Sequence, residues 1–276
     1  MSISLASIHI HPIKSLGGFE VDQAKLTDRG LQHDRRWMIT DENGIFISQR
    51  EIPAMACLHI VQVTDGFQVI DTRNDDRIEM PWQIDTSGSM RVQVWSQQMK
   101  AVHHAEADPW FSKAMDRQVQ VVYMPDESKR RTDGRYAKSL NSFSDGFPYL
   151  IASQASLDDL NDKLRSKGEA AVPMDRFRPN LVIAGGSAFQ EDHWKKISIG
   201  AVTFELVKPC ARCVIVTTDQ QSGARSKEPL CTLASYRSRG NNVLFAMNAV
   251  AEGTGVVRVG DAVIADPKMD MAADQQ

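Results

Sequence analysis

The sequence of 276 residues lacks any long apolar run. No stretch approaches the roughly 20 consecutive apolar residues that a transmembrane helix needs. The first residues, MSISLASIHI, do not combine a positively charged segment with a continuous apolar stretch, so no secretory signal peptide is recognised. We therefore expect no membrane partner and a cytoplasmic location.

Cysteine is scarce, and neither sign of charge predominates. Four cysteines in a chain of this length do not indicate the disulfide framework of a small secreted protein, and Cys210 and Cys213 are the only close pair. The 32 Lys and Arg residues stand against 35 Asp and Glu residues. A general binder of nucleic-acid duplexes would carry a basic excess, so we expect no such partner. A local basic pocket for a small anion is compatible with this balance.

Two common signatures of catalysis are also missing: a glycine-rich phosphate loop and a Ser-His-Asp grouping. The strongest chemical signal is instead the spacing of Cys210 and Cys213, which allows three interpretations. A structural zinc site needs about four ligands, and no second cysteine pair or paired-histidine motif is present. A thioredoxin-like pair normally opens a helix, whereas the β-branched run Val214–Thr218 predicts a strand. The third interpretation is one thiolate that binds a soft or high-valent metal, and the residues alone do not choose the metal.

Three cationic residues lie near predicted strand ends, far apart in sequence: Lys14, Arg35 and Arg178. Taken singly, each is more simply interpreted as a solvated charge or a surface ion pair. Arg side chains suit phosphate and other anions because their donors form a planar fork. Together, the three residues could supply positive charge around an anionic cofactor beside Cys213.

Short apolar runs separated by turns predict a mainly β protein with a few helices. Alternation predicts a first strand around Ile8–Ile10, and Asn43-Gly44 predicts a hairpin turn that leads into Ile45–Ile47. Further strand character is predicted for Val214–Thr217, and Val256–Val263 is interpreted as a last hairpin.

Helical spacing of apolar residues predicts one helix beginning at Asp108-Pro109 and another after Ser153. The polar segment 125–142 has almost no apolar periodicity, so it is predicted to be a linker or long loop between two β-rich regions.

A series of motifs, in this order, resembles the MOSC family. The resemblance is to the branch that includes the mitochondrial amidoxime-reducing component, bacterial YcbX-like proteins and the C-terminal part of molybdenum-cofactor sulfurases. It extends from about residue 3 to residue 265. The main matching segments are HPIKS (11–15), DRRW (34–37), SQR (48–50), FSD (143–145), FRPN (177–180), CARC (210–213) and KEPL (227–230).

The resemblance implies two β-barrel domains and a cofactor between them. By analogy, an N-terminal MOSC β-barrel-like domain covers residues 1–124, a linker 125–142, the MOSC domain 143–266 and a frayed tail 267–276. The cofactor implied is the molybdenum cofactor (Mo-molybdopterin), with Cys213 as metal ligand and catalytic residue. The other implied cofactor contacts are Lys14, Ser15, Arg35, Ser153, Arg178, Asn180 and Arg212.

The resemblance also implies an activity: reduction of N-hydroxylated compounds such as amidoximes, hydroxylamines or N-hydroxylated bases. Because the sequence carries no cysteine cluster for an iron–sulfur centre, we expect electrons to come from a separate flavin or iron–sulfur protein. The alternative is a carrier that delivers the cofactor, or its sulfur, without turnover of its own. A third hypothesis is a binding module whose cysteines are only structural.

Overall fold

The computed structural model describes residues 2–267, and the mainly β character predicted from the sequence is confirmed. The strands are β1 (Ser4–Ile10), β2 (Phe19–Val21), β3 (Gln23–Thr27), β4 (Gly30–Leu31), β5 (Trp37–Thr40), β6 (Leu58–Val63), β7 (Gly66–Asp71), β8 (Asp76–Pro81), β9 (Met90–Val94), β10 (Gln97–His103), β11 (Gln120–Tyr123), β12 (Tyr149–Ser153), β13 (Leu181–Ala184), β14 (Trp194–Ile199), β15 (Val202–Arg212), β16 (Ser238–Arg239), β17 (Asn242–Glu252), β18 (Gly255–Arg258) and β19 (Val263–Pro267). Of the predicted tail, residues 268–276 lie outside the described residues.

Within residues 2–267 there are three α-helices: α1 (Asp108–Met115), α2 (Gln154–Ser166) and α3 (Leu230–Ala234). The first two begin where the sequence predicted them, with Pro109 in the first turn of α1. No helix in this part of the chain is long and apolar enough to cross a membrane. The short 3-10 helices are Pro53–Cys57, Ala105–Ala107, Met174–Phe177, Gln190–His193 and Val214–Thr217.

A nine-stranded sheet joins the beginning of the chain to its C-terminal half. Its strand order is β19-β14-β15-β17-β12-β13-β1-β2, and β16 pairs with β17. All neighbours in this sheet are antiparallel except β12 and β13, which are parallel. Strands β1 and β2 therefore lie beside strands from the far end of the sequence. The division of the chain after residue 124 stays a prediction.

Two apolar clusters hold the larger elements in place. One lies against the nine-stranded sheet and includes Tyr149 and Phe204, whose rings meet edge to face at 5.2 Å. The other lies among the smaller sheets and α1 and includes Trp37, Phe67 and Phe111. Full burial of a large apolar side chain contributes about 1.5–3 kcal/mol. Packing in these clusters stabilises the sheets and α1, and the polar loops connect these elements.

Two strand predictions are wrong, and the first of them concerns a segment that lines the site. Val214–Thr217 forms a 3-10 helix, because its β-branched residues bury Val216 and Thr217 in a turn and make no sheet ladder. Val256–Val263 is not a hairpin: β18 pairs with β3, whereas β19 pairs with β14. Alternation reports which side chains are buried but not which strand is the partner.

The predicted hairpin after β5 is only partly formed. The chain reverses at Asp41–Gly44, where the Gly44 N–H donates to the Asp41 carbonyl at 3.1 Å. The second arm makes isolated bridges, Thr40 with Phe46 and Ile45 with Gln93, and does not form a continuous strand.

The pairing of β1 with β13 brings the first motif of the sequence to the site. These strands are antiparallel, with Ile8 opposite Leu181, so the end of β1 lies beside the beginning of β13. The His9 N–H donates to the Asn180 carbonyl at 2.8 Å, which extends this contact beyond the ladder. The segments that contain Lys14 and Arg178 are consequently neighbours, although they are more than 160 residues apart in sequence.

Candidate functional site

One cleft collects seven of the eight residues that the sequence analysis assigned to the site. Ser153 is the exception: it is buried, immediately precedes α2 and does not line the cleft. The seven residues that line the cleft are Lys14, Ser15, Arg35, Arg178, Asn180, Arg212 and Cys213.

The cleft lining carries a large excess of positive charge. Its cationic side chains are Lys14, Arg35, Arg50, Arg178 and Arg212, and its carboxylate is Asp145. Five cations against one carboxylate would repel one another if the cleft held only water. The arrangement favours an anionic ligand.

Lys14, Asp145 and Arg50 form a chain of charged contacts that reaches Cys213. The Lys14 ammonium pairs with Asp145 Oδ1 and also donates to the Phe143 carbonyl at 2.9 Å. Arg50 Nη2 lies 3.2 Å from Asp145 Oδ2. Burial acts to lower the pKa of Arg50, but its contacts with Asp145 and Cys213 raise it above the usual value. Arg50 is thus a fixed positive charge beside the thiol.

The same chain of contacts shifts the pKa values of its other members. Burial lowers the pKa of Lys14 to about 8, although Asp145 opposes this effect. For Asp145, removal from water would raise the pKa, but the Lys14 and Arg50 cations hold it well below its usual range. At neutral pH both partners are charged.

Arg35 is held by a buried carboxylate and by the segment before β13. Its Nη1 donates to Asp34 Oδ2 at 2.6 Å and to Asn180 Oδ1 at 3.1 Å, and its Nη2 donates to the Arg178 carbonyl at 3.1 Å. Asp34 also accepts the His11 N–H at 2.9 Å. This network fixes the backbone on which Arg178 and Asn180 stand.

Arg178 and Arg212 face the cleft with donors left over. Arg178 donates through Nη1 to the Leu16 carbonyl, and Arg212 donates through Nη2 to the Phe177 carbonyl at 2.8 Å. Arg178 Nη2 and Arg212 Nε are buried and have no hydrogen-bond partner among the described residues, and Ser144 Oγ is in the same position. Buried polar atoms normally find partners, so three such atoms on one cleft lining indicate a place for a polar ligand.

Three residues of the cleft adopt a backbone conformation that side chains disfavour. The φ angles of Ser15, Arg35 and Arg178 are 68°, 49° and 53°. The left-handed region costs a residue with a Cβ atom about 1–2 kcal/mol. Strain of this kind persists where the surrounding structure enforces it, and it clusters at ligand sites.

The structure bears on the three interpretations of the cysteine pair. In residues 2–267 no group of three or more His, Cys, Asp or Glu side chains is arranged to hold a metal ion, so the zinc interpretation has no ligand set there. Cys210 lies within β15 and does not open a helix, unlike the first cysteine of a thioredoxin-like pair. Arg212 Nη1 lies 3.1 Å from Cys210 Sγ, and Cys213 lies beyond the end of β15, on the cleft.

Sequence reasoning did not assign Arg50 or Asp145 to the site. Both lie in segments that carried the family resemblance, Ser48–Arg50 and Phe143–Asp145, and this was the signal available. Asn248 also lines the cleft and gave no such signal.

Comparison with family models defines the class of protein. Residues 138–264 match the MOSC domain, and residues 2–118 match the MOSC N-terminal beta barrel domain. The chain therefore belongs to the MOSC family, in the branch that carries this N-terminal domain.

Individual relatives fall into two groups. The chain is 30% identical to mitochondrial amidoxime-reducing component 1 of Homo sapiens and 31% identical to mitochondrial amidoxime reducing component 2 of Rattus norvegicus, covering in each case 94% of this chain and 82% of the relative. It is 34% identical to the molybdenum cofactor sulfurase of Oryza sativa subsp. japonica, over 89% of this chain. The chain spans only about a third of that sulfurase. These relatives identify it as a MOSC protein related to the molybdenum cofactor.

Proposed function

We propose that the cleft binds the molybdenum cofactor, with Cys213 as the protein ligand of molybdenum, and that the protein reduces N-hydroxylated compounds. The observation that carries this proposal is that one cleft contains both the partly exposed thiol of Cys213 and an excess of cationic side chains. The amidoxime-reducing relatives support the choice of reaction, because they match the chain over most of their length.

The residues of the cleft fit such a cofactor. Molybdopterin carries a phosphate and a dithiolene and is therefore an anion, which the five cationic side chains would neutralise. The unpartnered donors of Arg178 and Arg212 supply hydrogen bonds that the protein itself does not use. A thiolate such as that of Cys213 is a strong donor to soft and high-valent metals. When bound, the cofactor would supply two-electron oxygen-transfer chemistry, which no side chain provides.

The residues of the chain then have separate tasks. Arg178 and Asn180 hold the anion at the start of β13, and Lys14 and Ser15 hold it from the loop after β1. Arg50 places a positive charge beside Cys213. Asp145 keeps Arg50 and Lys14 in position through its two oxygens. Electrons would come from a separate flavin or iron–sulfur protein.

The test is molybdenum and pterin content of the wild type beside Cys213→Ala, with Cys210→Ala as the matched control. We expect near-stoichiometric metal in the wild type and in Cys210→Ala, and a loss of about tenfold or more in Cys213→Ala, because the metal would lose its only protein ligand. Reduction of an amidoxime with reduced viologen as electron donor should follow the metal content. Full metal content and full activity in Cys213→Ala would refute the assignment.

The sulfurase relative favours a second candidate function, delivery of the cofactor without turnover. Transfer of bound cofactor to an apo-molybdoenzyme, measured in the absence of any N-hydroxylated substrate, distinguishes the two functions. Transfer combined with no amidoxime reduction would favour the carrier.

A further inference from the structure

An exposed tryptophan lies one side chain away from the proposed metal ligand. Trp95 stands in the connection between β9 and β10, and 47% of the residue is exposed. The guanidinium carbon of Arg50 lies 4.8 Å from the centroid of its indole, and the Phe46 ring meets the indole edge to face at 5.0 Å. Arg50 in turn contacts Cys213. The indole is therefore held firmly beside the cleft while much of the residue is open to solvent.

The backbone at Trp95 is strained. Its φ angle is 55°, a conformation that connections of two residues between strands usually give to Gly or Asn. Gln93 Nε2 donates to the Trp95 carbonyl at 2.7 Å and holds the turn. A bulky residue in this position costs stability, so its presence points to a task for the side chain.

A second exposed aromatic residue contacts a side chain of the cleft lining. Tyr136 is 44% exposed, and its ring meets that of Phe147 edge to face at 6.2 Å. Phe147 lines the cleft. The Lys208 ammonium lies 4.4 Å from the Tyr136 ring centroid and 5.5 Å from that of Phe147. Tyr136 is thus held against Phe147, a residue of the cleft lining.

Hydrogen bonds connect the turn that carries Trp95 to the loop that carries Tyr136, which belongs to the segment predicted to be a linker. Gln97 Nε2 donates to the Arg131 carbonyl at 2.9 Å, and Arg130 Nε donates to Gln97 Oε1 at 2.8 Å. Arg130 Nη2 also donates to the Asp145 carbonyl at 2.7 Å. Hydrogen bonds therefore join three segments: the turn that carries Trp95, the loop that carries Tyr136, and the cleft segment that contains Asp145 and Phe147.

We propose that Trp95 and Tyr136 form an aromatic rim that selects substrates in which the N-hydroxylated group carries a flat aromatic ring. A substrate whose N–O group points to Cys213 would place its ring at the mouth of the cleft, where both side chains are exposed. Aromatic rings gain from stacked or edge-to-face contact in addition to the burial of their area. The rim rests on the proposed function, since it selects among substrates of that reaction.

The charges around the rim favour a small aromatic ligand over a protein partner. Arg50 lies against the Trp95 ring and pairs with Asp145, and Lys208 lies against the Tyr136 ring, so each exposed ring has a charged neighbour. Two rigid rings near the reacting centre suit one planar group.

The experiment compares an aromatic with an aliphatic amidoxime, benzamidoxime and acetamidoxime, in the holoprotein with reduced viologen. The variants are Trp95→Asn and Tyr136→Ala, with Trp95→Phe and Tyr136→Phe as controls that keep a ring. Asn tolerates the left-handed backbone, so Trp95→Asn removes the ring while relieving strain. We expect the ratio of kcat/KM for the aromatic substrate over the aliphatic one to fall about three- to tenfold in Trp95→Asn and Tyr136→Ala. The Phe variants should retain most of the ratio.

Two outcomes would overturn the rim. An equal loss for both substrates in Trp95→Asn would mean that Trp95 acts only by positioning Arg50. The second outcome is an unchanged ratio of kcat/KM in Trp95→Asn and Tyr136→Ala, combined with slower reduction only when a protein electron donor replaces viologen. That result would mean that the two residues bind the electron-donor protein and do not select the substrate.

A binding measurement separates failure of the rim from failure of the proposed function. Benzamide, which has no N–hydroxyl group, and acetamide are each titrated into the protein in separate experiments. The NMR signal of the Trp95 indole N–H reports binding. Saturable binding of benzamide alone supports the rim even if the wild type reduces no amidoxime. No preference for benzamide would overturn the rim.

Discussion

Two polar pockets of this protein are lined by the same residue types, but their arginine side chains differ in what they bind. The first is the Cys213 cleft, with Lys14, Arg35, Arg50, Arg178 and Arg212. The second, here called the Arg29–Arg36 pocket, is lined by residues of the β3–β4 turn, the segment after β4 and the stretch after β11. Arginine alone therefore does not mark a ligand site.

In the Arg29–Arg36 pocket the guanidinium groups bind the protein itself. Arg29 pairs with Asp28 at 2.9 Å and donates to the carbonyls of Asp126 and Ser128 at 2.9 and 3.1 Å. Arg36 pairs with Asp126 at 2.8 Å. These arginines tie the stretch after β11 to the strands around it.

In the Cys213 cleft, by contrast, positive charge exceeds what the protein neutralises. Arg178 Nη2 and Arg212 Nε have no partner among the described residues, and burial together with the neighbouring Arg35 lowers the pKa of Arg178 to about 9. An anionic ligand would remove both penalties. The two pockets therefore have similar residue types but differ in whether the arginine N–H donors have hydrogen-bond partners within the protein.

The sharpest test of this comparison exchanges one arginine in each pocket. Arg178→Gln should lower cofactor content about tenfold or more, because a charge-assisted hydrogen bond contributes about 1.5–3 kcal/mol. Arg29→Gln should leave cofactor content unchanged and lower the free energy of unfolding by about 2–4 kcal/mol, since it leaves buried carbonyls without donors. Metal analysis and urea unfolding measure the two effects. The comparison fails if Arg29→Gln loses cofactor while it remains folded.

A smaller effect should come from pH, because the Cys213 cleft contains Lys14, a buried lysine whose pKa is lowered. The pKa of Lys14 is about 8 in the ligand-free protein, so its positive charge is lost as pH rises through that value. An anion binds the protonated form more tightly, and affinity should therefore fall with rising pH. Between pH 6.5 and 9.5 we expect about a tenfold loss of sulfate affinity in the protein freed of cofactor, measured by thermal shift.

The matched variant for this effect is Lys14→Arg, which keeps its charge over the whole range. Its sulfate affinity should fall less than that of the wild type over this range, and the remaining decline should come from Arg178, whose pKa is about 9. A decline of equal size in Lys14→Arg would mean that another group controls the binding of the anion.

The sequence predicted the cleft better than it predicted the sheets. Lys14, Arg35 and Arg178 each lie beside a recognisable motif, and the structure brings them together. Arg50 and Asp145 were missed as site residues because their contact joins positions 95 residues apart, and no local pattern reports such a contact. The same limitation explains the incorrect hairpin at Val256–Val263, where alternation was present but the partners were distant strands. Local patterns indicate burial, whereas strand pairing and ion pairs depend on the whole fold.

The smallest expected effect concerns backbone strain at a serine of the cleft, compared with a serine beside Arg29. Ser15, in the Cys213 cleft, has a φ of 68°, whereas Ser128, beside Arg29, is not in the left-handed region. Ser15→Gly should raise the free energy of unfolding by about 0.5–1 kcal/mol, because relief of strain exceeds the entropic cost of glycine. Ser128→Gly should lower it by about 1 kcal/mol, because the Ser128 hydroxyl donates to the Lys100 carbonyl.

Both serine variants are measured by urea unfolding of the cofactor-free protein, and cofactor content is measured in parallel. Ser15→Gly should gain stability and lose cofactor, since it gives up a side chain that lines the cleft. Higher stability together with lower cofactor content is expected only if the left-handed conformation of Ser15 is retained because it serves ligand binding. A Ser15→Gly protein that is less stable than the wild type would show that the conformation of Ser15 is not strained.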